Sequence, residues 1–144
     1  MEGCGGFKFL EHTADAYVEA SGRSLEEAFI NAAKALFELI TDTSKVCKSV
    51  VREVRDEGLD LQNALYRWLE DLLILHDSEG LVFSDFDMRI KELQDKIAIE
   101  GRAWGEKFDP SKHEVRTEVK AVTYSLMEIK EIDGCWIARV VFDL

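Results

Sequence analysis

Helical periodicity occurs twice in this chain, both times before Gly80, and nothing after that glycine repeats it. In the first stretch Ser24, with Glu27 three residues on, forms a capping-box signature. Leu25, Ala28, Phe29, Ala32, Leu36, Phe37 and Ile40 follow at helical spacing. The stripe is broad enough to lie against a sheet, and it leaves Glu26, Asn31, Lys34 and Glu38 for water. In the second stretch Asp60 is placed to cap, and Leu61, Ala64, Leu65, Trp68, Leu69, Leu72, Leu73 and Leu75 form the apolar face until Asp77-Ser78-Glu79-Gly80 stops the helix. Arg67, Glu70 and Asp71 fall opposite. This leucine and tryptophan stripe reads as core rather than as a groove for a partner, since amphipathic helices normally bury that face internally.

The remainder reads as strand and turn. Phe7 to Leu10 and Ala16 to Ala20 are short strand-like runs, with Ser21-Gly22-Arg23 turning after them. Lys48 to Asp56 predicts a partly exposed strand closed by Glu57-Gly58, and Thr41 to Ser44 a polar loop. Leu81 to Lys91, Lys96 to Trp104, Glu118 to Ile132 and Cys135 to Phe142 complete the set. Asp133-Gly134 is a hairpin signal, because both positions tolerate positive φ and the flanks are strand-like, so the last two strands should pair antiparallel. The expected fold is α+β, one domain over residues 1–144, with two amphipathic helices packed on mainly antiparallel sheet. An apolar content of 47% suffices for its core. Gly105 to His113, which holds the sole proline, Pro110, reads as a surface loop between strands, and it lacks the glycine pattern of a phosphate cradle.

A formal net charge of −11 argues against direct nucleic-acid binding, which runs on clustered lysine and arginine, so any RNA connection should pass through a basic partner. Three cysteines, Cys4, Cys47 and Cys135, leave one unpaired in any disulfide scheme, and none has zinc-site spacing. A reduced, cytoplasmic chain is the simplest expectation, with Cys135 a small core residue and Cys4 open to oxidation. Met1 to Gly6 lacks the regions of a signal peptide, and no apolar run approaches a membrane span.

Chemistry concentrates at the two ends. Glu11-His12-Thr13-Ala14-Asp15 is a polar knot between the first two strand-like runs, and Asp143-Leu144 ends the last one. Asp15 alone reads as a turn or cap residue, and Asp143 alone is equally ordinary. Brought together with the carboxylate of Leu144, they would repel one another unless a cation or basic side chain intervened. Such an all-oxygen set suits a hard divalent ion, and calcium tolerates its irregularity better than magnesium.

Several of these stretches resemble the archease family: Phe9-Leu10-Glu11-His12-Thr13-Ala14-Asp15, Ser24 to Phe29, Gly105 to Asp109 with His113, Thr117 to Tyr124, and Phe142-Asp143-Leu144. The resemblance runs in order along nearly the whole chain. It departs at Ser125, where the family often has histidine after the tyrosine, which removes a ligand or proton-transfer group there. The resemblance implies a protein cofactor, not an enzyme. Such proteins assist the tRNA-splicing RNA ligase by promoting guanylylation of its histidine and repeated turnover, and some act as chaperones that sharpen a tRNA cytosine methyltransferase. It also implies a metal position at Asp15, Asp143 and Leu144.

The residues themselves leave alternatives. His12 reads as a general base or as a histidine bridging a turn, and Lys112, His113, Arg116 and Lys120 as partner-steering groups or as solvated charge. A metal-dependent hydrolase built on Asp15 and Asp143 with His12 as base is the runner-up class.

Overall fold

The computed structural model describes residues 3–11 and 14–144. Their elements run β1 (Gly6–Leu10), β2 (Ala16–Gly22), α1 (Leu25–Ile40), a 3-10 turn (Thr43–Lys45), β3 (Val50–Gly58), α2 (Leu61–Glu79), β4 (Leu81–Glu92), β5 (Ile97–Lys107), β6 (Ala121–Ile132) and β7 (Cys135–Asp143). The strands form two antiparallel sheets, ordered β1-β2-β7-β6 and β3-β5-β4. Each helix touches both sheets: α1 packs on β2 and β4, α2 on β3 and β6. The α+β expectation therefore holds.

Contact with both sheets explains why α1 is apolar around most of its circumference. Ala28, Phe29, Ala32, Ala33, Ala35, Leu36 and Phe37 are all inaccessible to solvent. Asn31, expected to face water, is instead buried, and its Nδ2 donates to the Ser21 carbonyl at 2.8 Å, which satisfies the polar group inside. At the helix start the Ser24 hydroxyl accepts from the Glu27 amide at 3.1 Å. The Glu27 carboxylate reaches back to the Arg23 amide at 2.8 Å, one residue earlier than in a standard capping box.

Asp60 caps α2 as expected, accepting from the Asn63 amide at 2.8 Å. Trp68, on its buried stripe, is wholly enclosed and donates from Nε1 to the Phe29 carbonyl at 3.0 Å, joining the two helices. Gly101 on β5 makes room for it, since a Cβ there would lie 2.6 Å from the indole ring.

The β6–β7 hairpin turns at Asp133 (φ 51°) and Gly134 (φ 78°), as the sequence predicts. Several boundaries differ. Strand β2 continues through the expected turn to Gly22, where pairing with Trp136 extends the ladder, and β3 begins at Val50 and includes Glu57-Gly58. Strand β5 runs on to Lys107, so the loop proper spans residues 108–120. The cysteines also differ from expectation. Cys4 and Cys135 form a disulfide with Cα atoms 5.8 Å apart, pinning the segment before β1 to the start of β7, and Cys47 remains a free, exposed thiol. No described helix is long and apolar enough to cross a membrane.

Candidate metal centre

Strand pairing brings the two ends of the chain together. In the β2–β7 ladder Ala16 stands opposite Phe142, so one further step of the antiparallel register sets Asp15 beside Asp143. Asp143 is also held by β6: it pairs with Ala121, and its carbonyl accepts from the Lys120 amide at 2.7 Å. Ala14, with φ 40°, turns the chain into β2 immediately before Asp15. Asp15, Asp143 and Leu144 are all half-buried, and the Leu144 side chain packs against the core.

Neither the Asp15 nor the Asp143 side chain makes a hydrogen bond or ion pair among the described residues. The arrangement is thus two carboxyl-bearing residues at adjoining strand ends, with no partner among the described residues and next to the main chain of Leu144, a donor set of the kind that suits a hard, oxygen-seeking cation. Among the described residues no three His, Cys, Asp or Glu side chains gather as a metal cluster. The fit therefore depends on main-chain oxygen as well as carboxylate. His12, with Thr13, lies outside the described residues.

The other singled-out polar residues hold the 108–120 loop. His113 is buried; its Nδ1 accepts from the Asp109 amide at 2.9 Å, which leaves Nε2 to donate to Glu106 at 3.0 Å, and its ring stacks on Phe108. Glu106 also receives Lys112 Nζ at 2.7 Å and the Cys47 amide at 2.6 Å, and these contacts, Lys112 first, hold its carboxyl down to about 2. Arg116 bridges Glu114 and Glu38, fastening the same loop to the end of α1. Of Lys112, His113, Arg116 and Lys120, only Lys120 keeps an exposed side chain without a partner among the described residues.

Ser125 falls in an irregular segment where β6–β7 pairing breaks between Thr123 and Glu128 and Leu126 takes φ 56°. Beside it Tyr124 stacks on Tyr66 with centroids 4.4 Å apart and accepts from Asn63 Nδ2 at 2.7 Å. One further ionisable site is not legible in the sequence: Asp71 of α2, half-buried, faces Asp56 of β3, and desolvation together with that acidic neighbour pushes its carboxyl up to about 7.

An α+β domain with two helices shared between two antiparallel sheets has the architecture of an archease-type protein. The sequence matches the Archease protein family (MTH1598/TM1083) over residues 7–144. It is 53% identical over 138 residues to a protein archease of Sulfurisphaera tokodaii, covering 96% of this chain and 98% of that one. With a protein archease of Aeropyrum pernix the identity is 51% over 142 residues, covering 98% and 99%. The solution structure of Methanobacterium thermoautotrophicum protein 1598 superposes with a TM-score of 0.86 at 47% identity, covering 96% of this chain and 99% of that one. The crystal structure of an archease, possible chaperone, from Thermotoga maritima gives 0.56 at 28% identity, covering 95% and 96%. This chain belongs to the archease family.

Proposed function

We propose that this chain is a non-catalytic cofactor of the tRNA-splicing RNA ligase in the cytoplasm. It promotes guanylylation of the ligase and its multiple turnover, with a divalent ion held by Asp15, Asp143 and a main-chain oxygen of Leu144. Calcium is the first choice of ion, with magnesium second. The observation that supports this reading is the β2–β7 register, whose continuation by one step leads to Asp15 and Asp143 in a member of this family. The cation, when bound, supplies a point of positive charge on a surface of otherwise negative balance. Asp15 at the start of β2 and Asp143 at the tail of β7 would hold it, and the Lys120 amide, donating to the Asp143 carbonyl, fixes that tail.

The net charge of −11 supports docking on a basic protein surface and not on RNA itself, with association that weakens as salt rises. A disulfide in a cytoplasmic protein has ample precedent in hyperthermophiles. A second reading, chaperone of a tRNA cytosine methyltransferase, is favoured by the description of the Thermotoga maritima relative as a possible chaperone. A metal-dependent hydrolase ranks below both, since its proposed base, His12, is its only support beyond the two aspartates.

The test is a ligase turnover assay. Substoichiometric amounts of this chain should accelerate ligase guanylylation, and Asp15→Ala or Asp143→Ala should abolish the acceleration while leaving the fold intact. Full acceleration by both variants rejects the metal site. No acceleration by the native chain, together with an altered pattern of methylated cytosines, selects the chaperone reading instead.

A further inference from the structure

The sheet β3-β5-β4 buries one face against the helices through Val54, Ile99, Ala103, Phe86 and Met88, and leaves the other uncovered. Charge on that open face follows the strand register. One row across the three strands reads Glu53, Arg102, Asp87; the next outward-facing row, two residues along, reads Arg55, Glu100, Arg89. The signs are therefore minus, plus, minus above plus, minus, plus, and all six residues are exposed. Within the chain this pattern goes almost unused. Arg102 and Asp87 approach only to 4.0 Å, and Glu53, Arg55, Arg89 and Glu100 make no hydrogen bond or ion pair among the described residues.

We propose that this face is self-complementary and that a second copy of the chain docks on it. A two-fold axis lying across the strands, midway between the two rows, places each row over the opposite row of the other copy. Glu53 then faces Arg55, Arg102 faces Glu100, and Asp87 faces Arg89, each pairing occurring twice. In the flanking rows the same operation sets Trp104 over Ala98, Val51 over Glu57, and Asp85, which already pairs with Lys48 at 3.3 Å, over Lys91, so the charge match is that of the central six. It also reverses strand direction, which keeps the two sheets near the aligned packing usual for sheet on sheet.

Three strands and four rows amount to roughly 400 Å² per copy. That is about half of what a stable dimer buries on each side. The pair is consequently transient, and its specificity comes from charge rather than apolar area.

Sedimentation of the full chain from micromolar to millimolar concentration tests the proposal. The native chain should dimerise over that range, and Arg89→Glu or Asp87→Arg, each alone, should weaken association by about tenfold or more because like charges then meet twice across the axis. An equimolar mixture of these two variants should regain it, since Asp87 of one meets Arg89 of the other and the new glutamate meets the new arginine. Both changes are on exposed side chains, and circular dichroism verifies the fold. A native chain monomeric throughout, a dimer indifferent to Arg89→Glu, or a mixture no more associated than its components overturns the proposal. So does a monomer that binds polyphosphate through Arg89, which would make this an anion-binding face.

Discussion

Among the described residues Asp71 carries the largest upward shift of an acid. Its carboxyl lies half-buried on α2 against Asp56 of β3, with Glu70 adding negative charge, and titrates near 7 instead of the ordinary 3.8. An acid whose folded pKa lies above its unfolded one binds a proton more readily in the folded state, so its contribution to stability is fullest near the unfolded value and declines as pH rises through the folded value. Over so wide a window full linkage would be about 4 kcal/mol. With half of the group in water, about 1–2 kcal/mol is expected. Urea midpoints measured between pH 4 and 7 should therefore fall less steeply for Asp71→Asn than for the native chain. Equal slopes would show that the pair shares no proton. This pair is not legible in the sequence, because periodicity sets Asp71 opposite the apolar stripe and says nothing of β3 bringing Asp56 to that side.

At the scale of elements, local signals translated directly. Ser24 and Asp60 cap α1 and α2, and Asp133-Gly134 turns the last hairpin, because each is a main-chain requirement met by a particular side chain within a few residues. Long-range closure was not legible. Cys4 and Cys135 stand 131 residues apart, and only the β1-β2-β7 order brings them together, so counting cysteines pointed to reduced thiols. Likewise His113 reads in the sequence as a steering group or solvated charge, because nothing there reveals that Glu106 and Asp109 fold over it.

The disulfide closes nearly the whole chain into a loop, the case in which a cross-link restricts the unfolded state most. Cys4→Ser should lower stability by about 2–5 kcal/mol, read by thermal or denaturant unfolding. Reductant should lower the native chain to the same level and leave the variant unmoved. Equal stability of the two proteins without reductant would remove the cross-link from the account.

Across the whole molecule, the sequence carried the α+β class, the two buried helical stripes and the polar residues at each end. It could not specify the partition into two sheets, since alternating strands such as β3, β5 and β6 pair equally well in many orders until the helices choose their neighbours. The meeting of the ends is a product of that partition: β2 and β7 are central in their sheet, and their shared register is what sets Asp15 beside Asp143. A ligand that binds the folded state alone raises stability by about 2.7 kcal/mol at a hundredfold excess over its dissociation constant. Thermal unfolding in calcium chloride and in chelator measures this directly. The native chain should melt at a higher temperature with calcium, and Asp15→Ala and Asp143→Ala should melt at the same temperature in both buffers. A native chain indifferent to calcium and magnesium, or variants that respond as it does, would contradict a divalent ion at this junction.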